Sequence, residues 1–146
     1  MGSLLGVRRE YPLLPLVGVG AVIRRGDEVL LVKRASPPKI GYYSIPGGLV
    51  EVGEEIREAV KREIKEETGL VVELENLIGV IDNIVRDSKG RVQYHYILID
   101  FLARVKGGEL QSASDTKDVR WVHFKDLEKY KLTETAKYLF KKLGFI

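Results

Sequence analysis

Apolar residues recur along this chain in two periods, and the period changes at clear breaks. From Leu16 to Ile23 apolar and small residues alternate, which predicts a strand. Gly18 and Gly20 within it would let another segment or a ligand approach closely. Arg24 to Asp27 reads as a turn and Glu28 to Lys33 as a second strand, so the two form a hairpin. Pro37, Pro38, Gly41 and Pro46 predict an irregular loop from Ala35 to Pro46. After a helical stretch, Leu70 to Leu74 and Leu77 to Val85 read as strands, with a hairpin turn at Asp87 to Gly90. Arg91 to Val105 is apolar on both faces and should be central, and Lys106 to Gly108 turns the chain. A polar loop covers 112–118, and Val119 to His123 is a last strand. Asp126, Leu127 and Tyr130 predict a short helical turn. Thr133 caps a final helix carrying Ala136, Leu139, Phe140 and Leu143, with Gly144 beyond it. Residues 1–14 read as an irregular arm. The order predicts a mixed sheet with helices packed on it.

The helix between Glu54 and Gly69 breaks the usual division of faces. On a wheel of about 100° per residue, Ile56, Ala59, Val60 and Ile64 form an apolar stripe. Arg57, Glu58, Lys61 and Lys65 form the watery face. Glu63 falls between Ala59 and Ile56, Glu67 falls between Ile56 and Val60, and Glu66 flanks them. A solvated, charge-rich surface helix is the plainer reading. Glu54 and Glu55 fit it, because acids near a helix start complement the dipole. The phase of Glu63 and Glu67 argues against it. A buried, unpaired carboxylate is costly or takes up a proton, and clustering adds repulsion. Something cationic must sit among these acids. Their spacing places them on adjacent turns, which suits oxygen ligation of Mg²⁺ or Mn²⁺.

Gly48, Glu54, Arg62, Glu63, Ile64, Glu66, Glu67, Gly69 and Leu70 stand at the defined spacings of a known signature. The stretch Gly48 to Leu70 resembles that of the Nudix hydrolases at every defined position. The resemblance implies an α/β/α sandwich, an α/β (α+β) fold with a mixed sheet flanked by helices. It also implies hydrolysis of a diphosphate linked to another moiety, with Mg²⁺ or Mn²⁺ bound. Carried over by position, Glu63, Glu66 and Glu67 are metal ligands, and the carbonyl of Gly47 adds another. One of the acids, Glu63 first, takes the proton from water. Glu54 and Arg62 form a supporting ion pair. In such enzymes the base often comes from a later loop. Asp115 is a candidate metal ligand or base there, or else a solvated loop acid.

Other candidates have structural readings of equal or greater weight. Tyr42 and Tyr43 would either stack on a base or sugar or cover the core. His95 on the long strand reads as structural, and Trp121 as core. Arg24, Arg25, Lys33 and Arg34 would contact phosphate, although most read as solvated. The stretch Arg86 to Arg91, His95-Tyr96, Asp100-Phe101 and Gly107 to Leu110 resembles, more loosely, the ADP-ribose-hydrolysing branch. That implies ADP-ribose or a similar nucleotide sugar, giving AMP and a sugar phosphate. Cleavage of normal or oxidised nucleoside triphosphates is an alternative. A nucleotide-sensing module is another, disfavoured because Glu63, Glu66 and Glu67 are all retained.

Composition narrows the classes. A chain of 146 residues, 45% hydrophobic and 31% charged, is expected to form one domain over 1–146 with a real core. A net charge of +3 gives no support for a nucleic-acid partner or an RNA-cap substrate. The absence of cysteine rules out disulfides and thiolate metal sites. No run reaches transmembrane length and no signal-peptide core is visible, so a cytoplasmic location with no membrane partner is expected. Scarce Asn and Gln beside abundant Lys and Glu fit a thermophile. The resemblance adds a homodimer.

Overall fold

The computed structural model describes residues 8–111 and 118–146. Strand β1 (Leu16–Arg25) is the hub of the sheet. It meets β2 (Glu28–Lys33) only at the hairpin end, where Arg24 faces Val29 and Arg25 faces Glu28. The two strands then part. The freed edge of β1 is taken by β4 (Gly47–Leu49), with Gly18 opposite Leu49 and Gly20 opposite Gly47. The freed edge of β2 is taken by the short β3 (Tyr43–Ser44), while its opposite edge pairs along its length with β7 (Val119–His123). On its other side β1 runs parallel to β6 (Val92–Gly108), which pairs antiparallel with β5 (Leu70–Arg86). The sheet therefore forks beside Pro46, and the fork opens a cleft.

Alternation along β1 sends its side chains to two cores. Val19, Ala21 and Ile23 pack with Ala59, Val60 and Ile64 of helix α1 (Ile56–Thr68). Val22, with Val29 and Leu31 of β2, packs with Ala136, Leu139 and Phe140 of helix α2 (Glu134–Lys142). The sheet is thus mixed and flanked by a helix on each face. Burying a side chain such as Ile64 in full contributes roughly 1.5–3 kcal/mol. The predicted helix ends hold. Gly69 takes a left-handed φ of 81° and Thr133 accepts a hydrogen bond from the Ala136 amide at 3.3 Å.

Several expectations are corrected. The two strands predicted over 70–85 are one, because register shifts between Leu74 and Gly79 keep it paired to β6. Lys106 to Gly108 does not turn the chain, since Gly107 and Gly108 still pair with Val71 and Leu70. The loop before the signature contains β3. Gly47 and Gly48 lie in β4, a strand that was not predicted. The turn into α1 comes at Gly53, whose φ is +82°. Ile56 leaves the apolar stripe at 39% exposure, because it sits on the first turn beyond the sheet's cover. The described part of the arm carries no helix or strand, yet it is tied to the sheet. The Tyr11 amide donates to the Gln93 carbonyl at 2.7 Å and its hydroxyl to Asp87 at 2.7 Å. No helix among the described residues is long and apolar enough to cross a membrane.

Candidate active site

The glutamates of α1 lie against β4, and the glycines of β4 are why they fit. A Cβ on Gly48 would collide with the Glu63 carboxylate, and one on Gly47 would collide with the Val19 carbonyl. The Gly47 amide donates to Glu67 Oε1 at 3.1 Å. Glycine therefore lets a helix carboxylate and two strands share one small space.

The cation required among the acids is present in the chain. Arg62 Nε and Nη2 hold both oxygens of Glu54, at 2.6 and 2.9 Å. Its Nη1 reaches Glu63 at 2.8 Å and Glu66 at 3.0 Å, and Nη2 also donates to the Leu49 carbonyl at 3.0 Å. Glu54 in turn accepts from the Glu51 amide at 3.0 Å, which ties the loop before α1 to the same fork. Glu51 lies 3.6 Å from Arg62, so one guanidinium faces four carboxylates and the cluster keeps a surplus of negative charge.

The shifts follow this arrangement. Arg62 binds its proton more firmly than usual, first through Glu54. Glu54 is held below the usual carboxylate range by Arg62. Glu63, only 6% exposed, is pushed up by burial, with Glu66 and Glu67 adding to the push and Arg62 opposing it.

These acids open onto a cavity of about 670 Å³. Glu63, Glu66, Glu67 and Gly47 line one wall. Lys33, Arg34, Arg9 and Arg86 also line it. The Arg34 guanidinium is pinned by the Pro38 carbonyl at 2.7 Å, and burial lowers its pKa. The Glu67 carboxylate favours its charge and Arg9 opposes it. The cavity thus carries carboxylates and cations together, which suits a polyanion bound through metal.

Not every candidate comes to this cavity. Glu54 and Arg62 stand behind it, buttressing the glutamates. Asp115 lies outside the described residues. Tyr43 donates to Asp118 at 2.6 Å and meets Tyr130 edge-on at 5.0 Å, so it covers the core and does not line the cavity. Tyr42 lies under Lys131 at 4.4 Å. Trp121 packs on the α1 core with Arg25 over its ring at 4.1 Å. Arg24 sits over Phe124 at 5.3 Å. His95 does not line the cavity. Among the described residues no three acids are gathered tightly enough to close around a metal as they stand. Glu63 and Glu66 are turned to Arg62, and Glu67 to Gly47.

Arg9 and Asp100 also reach the cavity, and neither was read as a site residue. Arg9 arrives only because the arm docks on the β5–β6 turn. Asp100, 4% exposed, faces the cavity from β6, and burial raises its carboxyl to about 7. Its signal was present as a single acid within an apolar strand (Tyr96 to Phe101).

The NUDIX domain family matches residues 14–143. The chain is 42% identical over 117 residues to an ADP-ribose pyrophosphatase of Methanocaldococcus jannaschii, covering 80% of this chain and 67% of that protein. It is 32% identical to the uncharacterized Nudix hydrolase YvcI of Bacillus subtilis, covering 73% of this chain and 65% of that one. The chain thus spans about two thirds of the length of these relatives. The structure of a MutT NUDIX hydrolase from Burkholderia pseudomallei superposes with a TM-score of 0.78 at 31% identity, covering 89% of this chain and 98% of that one.

Proposed function

We propose that this chain, which belongs to the Nudix hydrolase family, cleaves the diphosphate of ADP-ribose or a similar nucleotide sugar to AMP and a sugar phosphate. The observation that carries the reading is the cavity wall of Glu63, Glu66 and Glu67, with Lys33 and Arg34 in the same cavity. A diphosphate needs cations on its oxygens, and a carboxylate wall meets that need only through bound metal. The donor set fits a hard divalent ion. All its donors are oxygens, and one arginine leaves their charge incompletely compensated. Mg²⁺ or Mn²⁺ would be held by Glu63, Glu66 and Glu67, with the Gly47 carbonyl beside them. When bound, such an ion neutralises the phosphoryl oxygens and acidifies the attacking water.

The chain's own residues do the rest. Glu63, buried in the cavity wall, is the first choice to take the proton from water. Arg62 and Glu54 orient Glu63 and Glu66 through the fork of hydrogen bonds, a positioning role. Lys33 and Arg34 lie where they would hold phosphate oxygens against the wall. The sugar-diphosphate choice among phosphoanhydrides is supported by the 42% identity to an ADP-ribose pyrophosphatase.

The test is Mg²⁺-dependent hydrolysis of ADP-ribose against dGTP and oxidised dGTP, with the phosphate products followed. AMP and ribose phosphate, lost on chelation, are the expected result. Pyrophosphate from the triphosphates would overturn the sugar-diphosphate reading and leave the metal wall standing. Tight binding without turnover of any substrate would make the domain a sensor.

A further inference from the structure

Asp100 is the acid for which the reaction above has no use. It sits on β6 opposite Gly20 of β1, and Gly20 in turn faces Gly47 of β4. It therefore lies two strands away from Gly47 and the glutamate wall, in the same cavity. At 4% exposure it is as buried as the core around it. No hydrogen bond or ion pair reaches its carboxylate from the described residues, and the only influence on its proton is burial. Yet no fully enclosed side-chain oxygen among the described residues lacks a partner. The carboxylate therefore keeps an opening, and that opening is the cavity it lines.

The fold would gain from an apolar residue here. Leu98 and Leu102 hold the alternate positions on the same face of β6, and a third aliphatic would avoid the cost of a buried acid. The neighbouring strand also preserves the space. A Cβ on Gly20 would stand 3.0 Å from Asp100 Oδ1 and 2.9 Å from the Pro46 carbonyl. The opening is therefore built by two strands.

The missing partner is not a phosphate, which a carboxylate repels. It is not a cation of the described residues, since none of them acts on this group. With the divalent ion assigned to the glutamate wall, a neutral donor carried by the ligand fits this acceptor. We propose that Asp100 determines substrate specificity by accepting a hydrogen bond from a neutral hydroxyl or amino group of the substrate's nucleoside. The inference rests on the reading of this cavity as the substrate site. It adds the recognition of the part that is not cleaved.

The test compares kcat/KM for ADP-ribose with its inosine analogue, which lacks the exocyclic amine, and with its 2′- and 3′-deoxy analogues. The wild-type protein should prefer ADP-ribose over one of these by about tenfold to a hundredfold, because the analogue leaves a buried acceptor unmatched. Loss against inosine assigns the amine, and loss against a deoxy analogue assigns the ribose. Asp100→Leu should bring that preference close to one. Asp100→Asn, which keeps a carbonyl of the same shape, should restore part of it. A merely structural role would change all substrates together. Equal kcat/KM for every member of the set in the wild-type protein overturns the proposal without any variant. So does an unchanged preference in a folded Asp100→Leu protein. If triphosphates prove to be the substrates, dATP against dITP and ATP against its deoxy forms decide the same point, and only the sugar-diphosphate reading falls. If nothing is turned over, equilibrium binding of the same pairs decides it.

Discussion

Two acids are buried in the described part of this molecule, and the fold treats them in opposite ways. Glu63 is 6% exposed and held by a guanidinium at 2.8 Å, with two more glutamates beside it. Asp100 is 4% exposed and is held by nothing in the described chain. Both carboxyls are pushed up by burial, but Glu63 is pulled back by Arg62 and Asp100 is not. The difference separates two uses of a buried charge. One is organised in advance by the protein for a cation-dependent reaction. The other is left open to a partner that arrives with the ligand.

The largest expected effect strikes the glutamate side. Glu67→Gln removes one carboxylate charge and one ligand oxygen, and should lower kcat by about a hundredfold or more with the fold intact. Unchanged activity at saturating Mg²⁺ would remove Glu67 from the ligand set. Gly48→Ala should come next. Its methyl group meets the Glu63 carboxylate, so activity should fall at least tenfold or so, with a small change in melting temperature. Circular dichroism alongside rate measurement separates the two effects. Arg62→Met leaves Glu54 and Glu63 facing each other without a cation. It should cost about 1–3 kcal/mol, discounted for partial exposure, as read by urea unfolding.

The Asp100 side makes the opposite prediction for stability. Its folded value of about 7 lies above its ordinary 3.8, so the folded state holds a proton that the unfolded state has lost in that window. Stability therefore falls as pH rises from about 4 to about 7, and the loss is complete above it. Asp100→Asn should flatten this slope and stabilise the protein near pH 8 by about 1–3 kcal/mol, with little change near pH 4. Parallel melting curves for the two proteins across that range would show that Asp100 is solvated or paired. The smallest effect should come from Glu58→Gln, on the watery face of α1 and only loosely paired to Lys61 at 3.8 Å. Stability and rate should stay within experimental scatter. A large loss there would mean the helix phase, and with it the contrast between the two acids, is misassigned.

Much of this was legible without the fold, because local chemistry encodes it. The spacing from Gly48 to Leu70 fixes the family. The helical phase puts Ala59, Val60, Glu63 and Ile64 on the buried side. Gly69 and Thr133 mark helix ends by properties of single residues. What was not legible depends on residues far apart in sequence. The cation among the glutamates was expected to be a metal. The structure shows that Arg62 already supplies one charge, because Glu54 arrives from the preceding loop to orient it. Gly47 and Gly48 lie in a strand not predicted from the sequence, since only the folded sheet shows that β1 offers them an edge.

Periodicity along the chain therefore decided which residues are buried and which elements form. Only tertiary structure decided what each buried acid faces. Asp100 meets Gly20 and Gly20 meets Gly47 through strand pairings that join distant segments, one parallel and one antiparallel. A side chain's electrostatic environment is set by its neighbours within a few ångströms, and for Asp100 those neighbours come from other strands.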